Sequence, residues 1–360
     1  MVRRKLIIDT DCGGDDAIGI LAALTHPEVD IIAITVVWGN VNVDQGMENI
    51  GKILDLFAAD IPFYRGASGP LLGDRETVQW GGFGQDGFGD AGFPPSMRIA
   101  HQSTKHAAIA LGEILSNISV MEEDDEVYQL LCLGPLSNIA LALRLYPDLF
   151  KNLGSKEYPG VVVMGGTNEG KGNSSMASEF NFHCDPEAAR IVFQEKPSRY
   201  PISLVSWELT VACAMPWRFF DDWISRIKVT NSKRKSVNQN RIQTFIEKVF
   251  QRLEVFTRPA EDGTKADTGD AESTQDVTCV IPDAVAVCVA LEPAIVLDQF
   301  HTFVTIELQG RETRGATLID WYGTEQSMAK KGRWRNCNVV TKCSQEHFLK
   351  MMSAVIQYNI

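Results

Sequence analysis

Short runs of β-branched and other apolar residues alternate with amphipathic segments through the first two-thirds of the chain. The run "LIIDT" is followed by a helical pattern from about Asp16, and "DIIAITVVWGN" is followed by "DQGMENIGKILDLFAA". The alternation recurs as "VYQLLCLGP" before "LSNIALALRL" and as "GVVVMGG" before "DPEAARIVFQ". Because strands this apolar are covered on both faces, the pattern predicts an α/β fold with a mostly parallel central sheet flanked by helices.

Polar residues and glycines follow the predicted strands at their carboxyl ends. They include Asp9 and Asp11 after the first strand, Asn40 after the second, Gly134, and the loop after Met164. In open parallel sheets, ligands bind beyond the carboxyl ends of the strands. The sequence therefore predicts a functional site at this edge of the sheet.

Two segments depart from the alternation. Residues 76–95, "ETVQWGGFGQDGFGDAGFPP", combine glycines, which favour mobility, with aromatic side chains on which a loop can close. The alternative is an irregular surface loop whose aromatic side chains pack locally. Residues 259–276 are acidic with few apolar side chains, as expected of a solvated excursion. Since no repeat or domain boundary is evident, we predict a single domain over residues 1–360, with both segments mobile over the site.

The composition narrows the class of protein. With 44% apolar and 22% charged residues, the 360-residue chain is typical of a folded enzyme. The net charge of −12 argues against nucleic acid as a partner, and no apolar stretch is long enough to predict a membrane span. The eight cysteines have irregular spacings, which predicts reduced thiols and a cytoplasmic location.

The stretch "KLIIDTDCGGDDAIGILAAL" places Asp9, Asp11, Asp15 and Asp16 between two apolar elements. Two carboxylates about 4 Å apart repel by roughly 4 kcal/mol at an effective dielectric constant near 20. One helix cap cannot accommodate four such groups, and no Lys or Arg follows the strand. A divalent cation resolves the repulsion, and several carboxylates favour Ca²⁺ over Mg²⁺. Asp283, in "VIPDAVAVCVAL", is a candidate for a distal ligand.

Several motifs together resemble those of a known family. "DTDCGGDDA" is similar to the N-terminal aspartate fingerprint of the inosine–uridine-preferring nucleoside hydrolases. "VVWGN", "LGPLSNIALAL", "VVVMGG", "GNSSMASEFNFHCDPEAA" and "PDAVAV" follow in the order found in that family, over most of the chain. The resemblance is strongest to the purine-specific, inosine–guanosine members of parasite purine salvage. It implies hydrolysis of the N-glycosidic bond of purine ribonucleosides to free base and ribose, by a homodimer.

The resemblance also implies roles for individual residues. Asp11 resembles the general base that bridges a calcium ion and the attacking water, and Asp9 would support its loop. The implied calcium ligands are Asp11, Asp16, the backbone carbonyl of Leu133, and Asp283. The implied ribose contacts are Asp15, Asn40, Asn173, Glu179 and Asn181.

The base side departs from the family pattern. Uridine-cleaving members have a His immediately before the distal Asp, and some purine-specific members have a Trp there. This chain has Pro282, which argues against efficient pyrimidine cleavage. We predict that the purine stacks on Trp80 or Phe180, a contact of roughly 1–3 kcal/mol.

Three alternatives remain open from the sequence. One is a nucleoside hydrolase with broader purine or pyrimidine specificity. The second is a metal-dependent phosphohydrolase of the haloacid dehalogenase type, which also begins with a strand-borne "DTD" but would release phosphate. The third is a non-catalytic protein that binds Ca²⁺ or nucleosides and forms no reducing sugar.

Overall fold

The computed structural model of the protein describes residues 3–73, 81–101, 103–118, 126–194, 199–230, 237–257, 278–323, 329–330, 332 and 334–357. Within them, the main sheet has eight strands in the order β3-β2-β1-β4-β5-β6-β12-β9. Its strands are β1 (Arg3–Thr10), β2 (Val29–Val36), β3 (Phe63–Arg65), β4 (Glu126–Cys132), β5 (Val161–Met164), β6 (Ile202–Val205), β9 (Val296–Thr302) and β12 (Cys337–Cys343). Two short pairs are β7 (Met215–Pro216) with β8 (Thr278–Cys279), and β10 (Val304–Ile306) with β11 (Thr317–Ile319).

Parallel pairing dominates the main sheet. Every neighbouring pair is parallel except β12 with the edge strand β9, which is antiparallel. The central strand β1 pairs with β2 on one side and β4 on the other, and its Leu6, Ile7 and Ile8 are fully buried. Neighbouring side chains of a strand point to opposite faces, so a continuous apolar run needs cover on both faces.

Helices supply that cover. They are α1 (Gly14–Thr25), α2 (Val43–Phe57), α3 (Ala107–Ser116), α4 (Ser137–Leu145), α5 (Phe180–Cys184), α6 (Pro186–Gln194), α7 (Trp207–Ala212), α8 (Trp217–Thr230), α9 (Val237–Thr257), α10 (Pro282–Leu291) and α11 (Gln345–Gln357), with 3₁₀ turns at Gly81–Phe83, Met97–His101 and Pro293–Ile295. One apolar cluster joins the sheet to α1, α2, α9, α10 and α11, and a second joins it to α3, α4 and α6. The predicted fold class, a mostly parallel sheet flanked by helices in one domain, is confirmed.

The register places the expected polar residues together. Asp9 on β1 pairs with Thr35 on β2 and with Cys132 on β4, so the residues that follow all three strands emerge at the same edge. Asn40 and Leu133 therefore lie near the turn that carries Asp11, as the hydrogen bonds below show.

A glycine lets the two aspartate-bearing helices meet at this edge. A Cβ atom on Gly19 of α1 would lie 2.7 Å from Val287 Cγ2 and 3.4 Å from the Asp283 carbonyl oxygen, both on α10. The first of these separations is shorter than any normal van der Waals contact. Gly19 lies about one helical turn after Asp16 on α1. On α10 it faces the backbone of Asp283 and the side chain of Val287, which lies about one turn after Asp283. Close approach at Gly19 thus brings the two N-termini, and their carboxylates, to one place.

The structure describes part of one segment predicted to be mobile and none of the other. Residues 76–80 and all of 259–276 lie outside the described residues, so their mobility stays a prediction. Among the helices that the structure describes, none has the length and apolarity that crossing a membrane requires.

Candidate active site

The turn between β1 and α1 carries Asp11 and is held by side chains on both sides. Cys12 adopts a left-handed conformation with φ of 49°. Its N–H donates to Thr10 Oγ1 at 3.0 Å, and the Thr10 hydroxyl donates to Asp16. Asp16 also accepts the Gly13 N–H at 2.8 Å, so this carboxylate caps the start of α1. The turn and the first helical residues thus form one hydrogen-bonded unit.

Three carboxylates from two helix N-termini converge beside this turn. Asp15, Asp16 and Asp283 each offer an oxygen within 4.8 Å of the others, and all three are buried. Each lies in the first turn of its helix, where the helix dipole favours negative charge. The structure therefore contains a group of aspartates able to hold a metal ion.

Asp11 faces the same region but is held by Asn40. Its Oδ2 accepts the Asn40 backbone N–H at 2.6 Å, and the Asn40 Nδ2 donates to Asp11 Oδ1 at 3.4 Å and to Asp16 Oδ2 at 3.3 Å. Two glycines, Gly39 and Gly134, lie against Asp11 and are here called the glycine collar. A Cβ atom on Gly39 would lie 2.0 Å from Asp11 Oδ2, and one on Gly134 would lie 3.0 Å from Asp11 Cβ. Asp11 therefore has little freedom to move.

The protonation of this cluster is strongly perturbed. Burial is the largest cause that raises the pKa of Asp11 and of Asp283 well above the usual aspartate range, with neighbouring carboxylates adding to it. Burial, followed by the charge of Asp16, raises the pKa of Asp15 to about 7. Asp15 Oδ1 is buried and has no hydrogen-bond partner among the described residues. An all-oxygen donor set with an unpartnered buried oxygen fits a hard divalent cation.

Asp9 lies behind the turn, as expected of a supporting residue. It is fully buried and accepts hydrogen bonds from Thr35 Oγ1 at 2.6 Å and Asn138 Nδ2 at 2.8 Å. Burial, as the largest cause, raises its pKa to about 7. Since these partners belong to β2 and α4, Asp9 ties the end of β1 to its neighbours.

A second arm of the site comes from the start of α5. Glu179 is buried and caps this helix, accepting the Asn181 N–H at 2.8 Å and the Phe182 N–H at 3.2 Å. The same carboxylate accepts the Gly166 N–H at 2.8 Å. Asn181 Nδ2 in turn donates to the Leu133 carbonyl at 2.8 Å. Residues expected at the ribose and at the metal are thus joined in one network.

Glu179 gives a prediction about pH. Burial, outweighing three backbone N–H bonds, raises its pKa from 4.5 to about 7. Its contribution to stability is fully present below about pH 4.5 and is lost as pH rises through about 7, by about 3 kcal/mol at most. We expect the neutral Glu179→Gln variant to lack this loss, so the free energy of unfolding of the wild type falls relative to the variant across that window.

Urea unfolding of both proteins at intervals from pH 4.5 to 8 measures the difference. The exposed Glu113, which pairs with Lys105, supplies the control Glu113→Gln. Parallel wild-type and Glu179→Gln curves would contradict the prediction.

The loop that carries Asn173 is anchored by two residues from elsewhere in the chain. Asn173 is exposed, and its Oδ1 accepts the Phe180 N–H at 2.8 Å. Thr317 Oγ1 accepts the Thr167 N–H at 2.9 Å. The Glu208 carboxylate accepts three further N–H groups of this loop, from Asn168, Glu169 and Lys171. The sequence carries no motif around Glu208 or Thr317 that would have singled them out.

The base side is only partly described. Trp80 lies outside the described residues, and Phe180 is the partly exposed first residue of α5. Phe83 is nearly buried against the start of α1, where a Cβ atom on Gly14 would lie 2.7 Å from Phe83 Cδ1. Pro282 occupies the first position of α10, directly before Asp283. Stacking of a base on Trp80 or Phe180 stays a prediction.

Comparison with known proteins identifies the family. The family model described as inosine-uridine preferring nucleoside hydrolase matches residues 6–350. The chain belongs to this family. The nucleoside hydrolase family inferred from the aspartate fingerprint and its companion motifs is therefore confirmed. The match extends from β1 into α11, and so includes every motif on which the resemblance rested.

Three named nucleoside hydrolases differ in their sequence identity to this chain and in the share of it that they match. A solved structure named as an inosine–guanosine nucleoside hydrolase is 61% identical, with a TM-score of 0.89 over the whole of both chains. The purine-preferring ribonucleoside hydrolase from Gardnerella vaginalis is 25% identical, with a TM-score of 0.76 over 98% of each chain. A curated pyrimidine-specific ribonucleoside hydrolase of Escherichia coli (strain SE11) is 34% identical over 210 residues, 58% of this chain and 61% of that protein. The chain thus matches about three-fifths of the length of that curated relative.

Proposed function

We propose that this protein hydrolyses the N-glycosidic bond of purine ribonucleosides, with inosine and guanosine favoured, to give the free base and ribose. The observation that carries the proposal is the convergence of Asp15, Asp16 and Asp283 next to Asp11, inside the fold of a nucleoside hydrolase. Such a buried acidic group suits a reaction in which positive charge develops on a sugar ring.

Calcium is the metal that we propose for the acidic site formed by this group together with Asp11. Asp11, Asp16, Asp283 and the Leu133 carbonyl would hold it. The Leu133 oxygen already accepts a hydrogen bond from Asn181, and a carbonyl oxygen has a second lone pair for a cation. When bound, the ion would lower the pKa of a water molecule and bind ribose hydroxyls.

We propose that Asp11 acts as the general base. Its carboxylate is fixed by Asn40 and by the glycine collar, so its oxygens keep one orientation. A fixed carboxylate within hydrogen-bond reach of the attacking water takes its proton as the new C–O bond forms. The neighbouring carboxylates stabilise the oxocarbenium character of the ribose while the C–N bond breaks.

Ribose binding is proposed for five residues. Asp15 would accept a hydrogen bond from the 2′-hydroxyl, with Asn40 beside it, and Asn181 would contact the ribose hydroxyls. Asn173 and Glu179 would bind the 5′-hydroxyl end. The network that joins Glu179, Asn181 and the Leu133 carbonyl supports this assignment, because it sets sugar and metal groups relative to each other. Orientation of this kind lowers the entropic part of the barrier.

Purine preference is supported by two observations. The structure with 61% identity over the whole chain is named as an inosine–guanosine enzyme. Pro282 lacks an acidic proton, so at that position it cannot protonate a pyrimidine leaving group. Stacking on Trp80 or Phe180 is our proposal for holding the purine.

A broader specificity is the second candidate, since the curated Escherichia coli relative is named pyrimidine-specific. The phosphohydrolase alternative has no support, because the chain belongs to another family. A non-catalytic binding protein remains to be distinguished by experiment. That alternative requires nucleoside binding without formation of reducing sugar.

Release of reducing sugar from inosine, guanosine, adenosine, uridine and cytidine tests the proposal. We expect inosine and guanosine to give the highest kcat/KM, and uridine to be slower by about 10²-fold, the discrimination that roughly 2.7 kcal/mol of transition-state binding provides. Equal rates for uridine and inosine would favour the broader specificity. Binding of inosine without sugar release would favour the non-catalytic alternative.

We also propose a homodimer in the cytoplasm. The dimer is suggested by the family resemblance, and the location by the eight cysteines, whose described side chains are free thiols. Sedimentation velocity of the purified protein tests the dimer, and a monomer at micromolar concentration would contradict it.

A further inference from the structure

The buried side chain of Asn49 joins the Asp11 turn to the glycine segment, by which we mean residues 81–93. Asn49 lies on α2 and is 0% exposed. Its Nδ2 donates to the Cys12 carbonyl at 3.1 Å and to the Asp86 carbonyl at 2.8 Å. Its Oδ1 accepts from Gln45 Nε2 at 2.9 Å, which fixes the orientation of the amide. One amide group thus donates hydrogen bonds to the carbonyl groups of two separate backbone segments at the edge of the site.

The Cys12 turn needs this support. A left-handed conformation is unfavourable for a residue other than glycine, so the surrounding contacts must hold it. The Cys12 N–H is bound by Thr10, and its carbonyl is bound by Asn49. A buried carbonyl that lost this partner would be left desolvated without a hydrogen bond, which is unfavourable. Asp11 directly precedes Cys12, so the backbone of this turn sets the direction in which the Asp11 side chain leaves the chain.

The glycine segment forms an ordered unit on the other side of Asn49. The side chains of Asp86 and Asp90 accept four backbone N–H groups, from Gln85, Asp86, Phe88 and Asp90. Arg252 of α9 donates to the Gly81 carbonyl at 2.9 Å and to Asp90 Oδ2 at 2.6 Å. Arg252 therefore links α9 to this segment.

Close packing of the segment against Asn49 depends on Gly87. Its φ of 77° favours glycine, and a Cβ atom there would lie 3.1 Å from Asn49 Nδ2 and 3.3 Å from the Cys12 carbonyl oxygen. The segment, the Asn49 amide and the Cys12 turn are therefore in direct contact.

We propose that Asn49 is a positioning residue for Asp11. It acts through the Cys12 carbonyl and couples the orientation of Asp11 to the docking of the glycine segment. This inference rests on the role of Asp11 in the proposed function. A merely structural asparagine would instead affect stability and leave the turnover of the folded enzyme unchanged.

The Asn49→Leu variant removes both hydrogen bonds, and the Asn49→Asp variant keeps the shape but replaces the donating nitrogen by oxygen. Misplacement of a catalytic group by about 1 Å costs up to about 10²-fold in rate. We therefore expect kcat for inosine to fall about 10–100-fold in both variants, with KM changed by less than about threefold. The calcium dissociation constant should rise about tenfold, since Asp11 is also a proposed ligand.

Asn152 provides a matched control. Its Nδ2 donates to the Ile118 carbonyl at 2.7 Å on the face of the sheet covered by α3 and α4, away from the acidic cluster. Asn152→Leu also loses an amide–carbonyl hydrogen bond and should reduce stability while leaving kcat unchanged. Thermal unfolding sets an assay temperature at which every variant is folded. If Asn49→Leu does not fold, kcat and the calcium dissociation constant of the isosteric Asn49→Asp variant provide the test.

The results separate this inference from the proposed function. A kcat within threefold of wild type in the folded Asn49 variants, with unchanged calcium affinity, would overturn the positioning role. If wild-type protein releases no sugar from any nucleoside, the proposed function fails. Calorimetric titration with calcium then decides on Asn49 alone: an unchanged dissociation constant rejects the role, and a tenfold rise supports it.

Discussion

The Asp11→Asn variant should hydrolyse inosine about 10³-fold more slowly than the wild type, at saturating substrate and calcium. Asparagine occupies the same space, and its amide oxygen can still accept the Asn40 N–H. It cannot take a proton from water, and loss of a general base typically costs 10²–10⁴-fold.

Single-turnover kinetics with inosine measure this loss without interference from product release. Asp30→Asn is the matched control, because Asp30 lies at the start of β2 and pairs with Lys5 on the surface. Its turnover should stay within about twofold of the wild type, as expected for a surface change. An Asp11→Asn enzyme with a tenth of wild-type turnover would exclude Asp11 as the base. If a higher calcium concentration restored the turnover of Asp11→Asn to the wild-type value, Asp11 would be a metal ligand and not the general base.

Removing divalent metal should strongly reduce turnover and destabilise the protein. The carboxylate oxygens of Asp15, Asp16 and Asp283 lie within 4.8 Å of one another, and two unit charges at that distance repel by about 3.5 kcal/mol at an effective dielectric constant of about 20. A cation that offsets this repulsion stabilises the fold by mass action. We expect metal-free protein to lose about 10²-fold or more in turnover, and its unfolding temperature to fall by several degrees.

Dialysis against a chelator, with residual metal measured by mass spectrometry, tests this expectation. Calcium should restore turnover and the unfolding temperature, and magnesium should do so less well, because its smaller shell tolerates fewer carboxylates. Chelator already saturated with calcium serves as the control. Full activity in protein shown to be free of metal would refute the metal-dependent mechanism.

Most of the fold is readable from the sequence. The run Leu6–Ile8 is too apolar to face water on either side, and the helical pattern after Asp16 has to cover it. These two local constraints, repeated along the chain, specify a parallel sheet covered on both faces. The spatial order of the strands was not readable, because pairing between β1 and β4 joins segments about 120 residues apart in the chain.

Part of the site is also readable. Four aspartates between two buried elements demand a neutralising partner, and Asp283 at a helix start offers a further carboxylate. The structure brings Asp283 to Asp15 and Asp16. It also shows that Asp11 is turned towards Asn40 and that the next residue, Cys12, adopts a left-handed conformation. A conformation of this kind has no signature in the residue type.

The residues that hold the site in place escaped sequence reasoning. Asn49 carries one signal, since it is a polar residue on the apolar stripe of α2 between Met47 and Ile50. Glu208 and Thr317 carry none, because they act on the backbone of a loop that lies far from them in the chain. A side chain that accepts backbone N–H groups does not depend on the side chains of the loop that it binds. The sequence of the loop therefore does not indicate which distant residue will bind it.

The glycine collar has a consequence for protein engineering. Redesign of base preference should leave Gly39 and Gly134 untouched, since even one added methyl group would collide with Asp11. Variation is better directed to the two positions proposed to stack on the purine, Trp80 and Phe180. Libraries confined to those positions would explore new substrates while retaining the hydrolytic machinery.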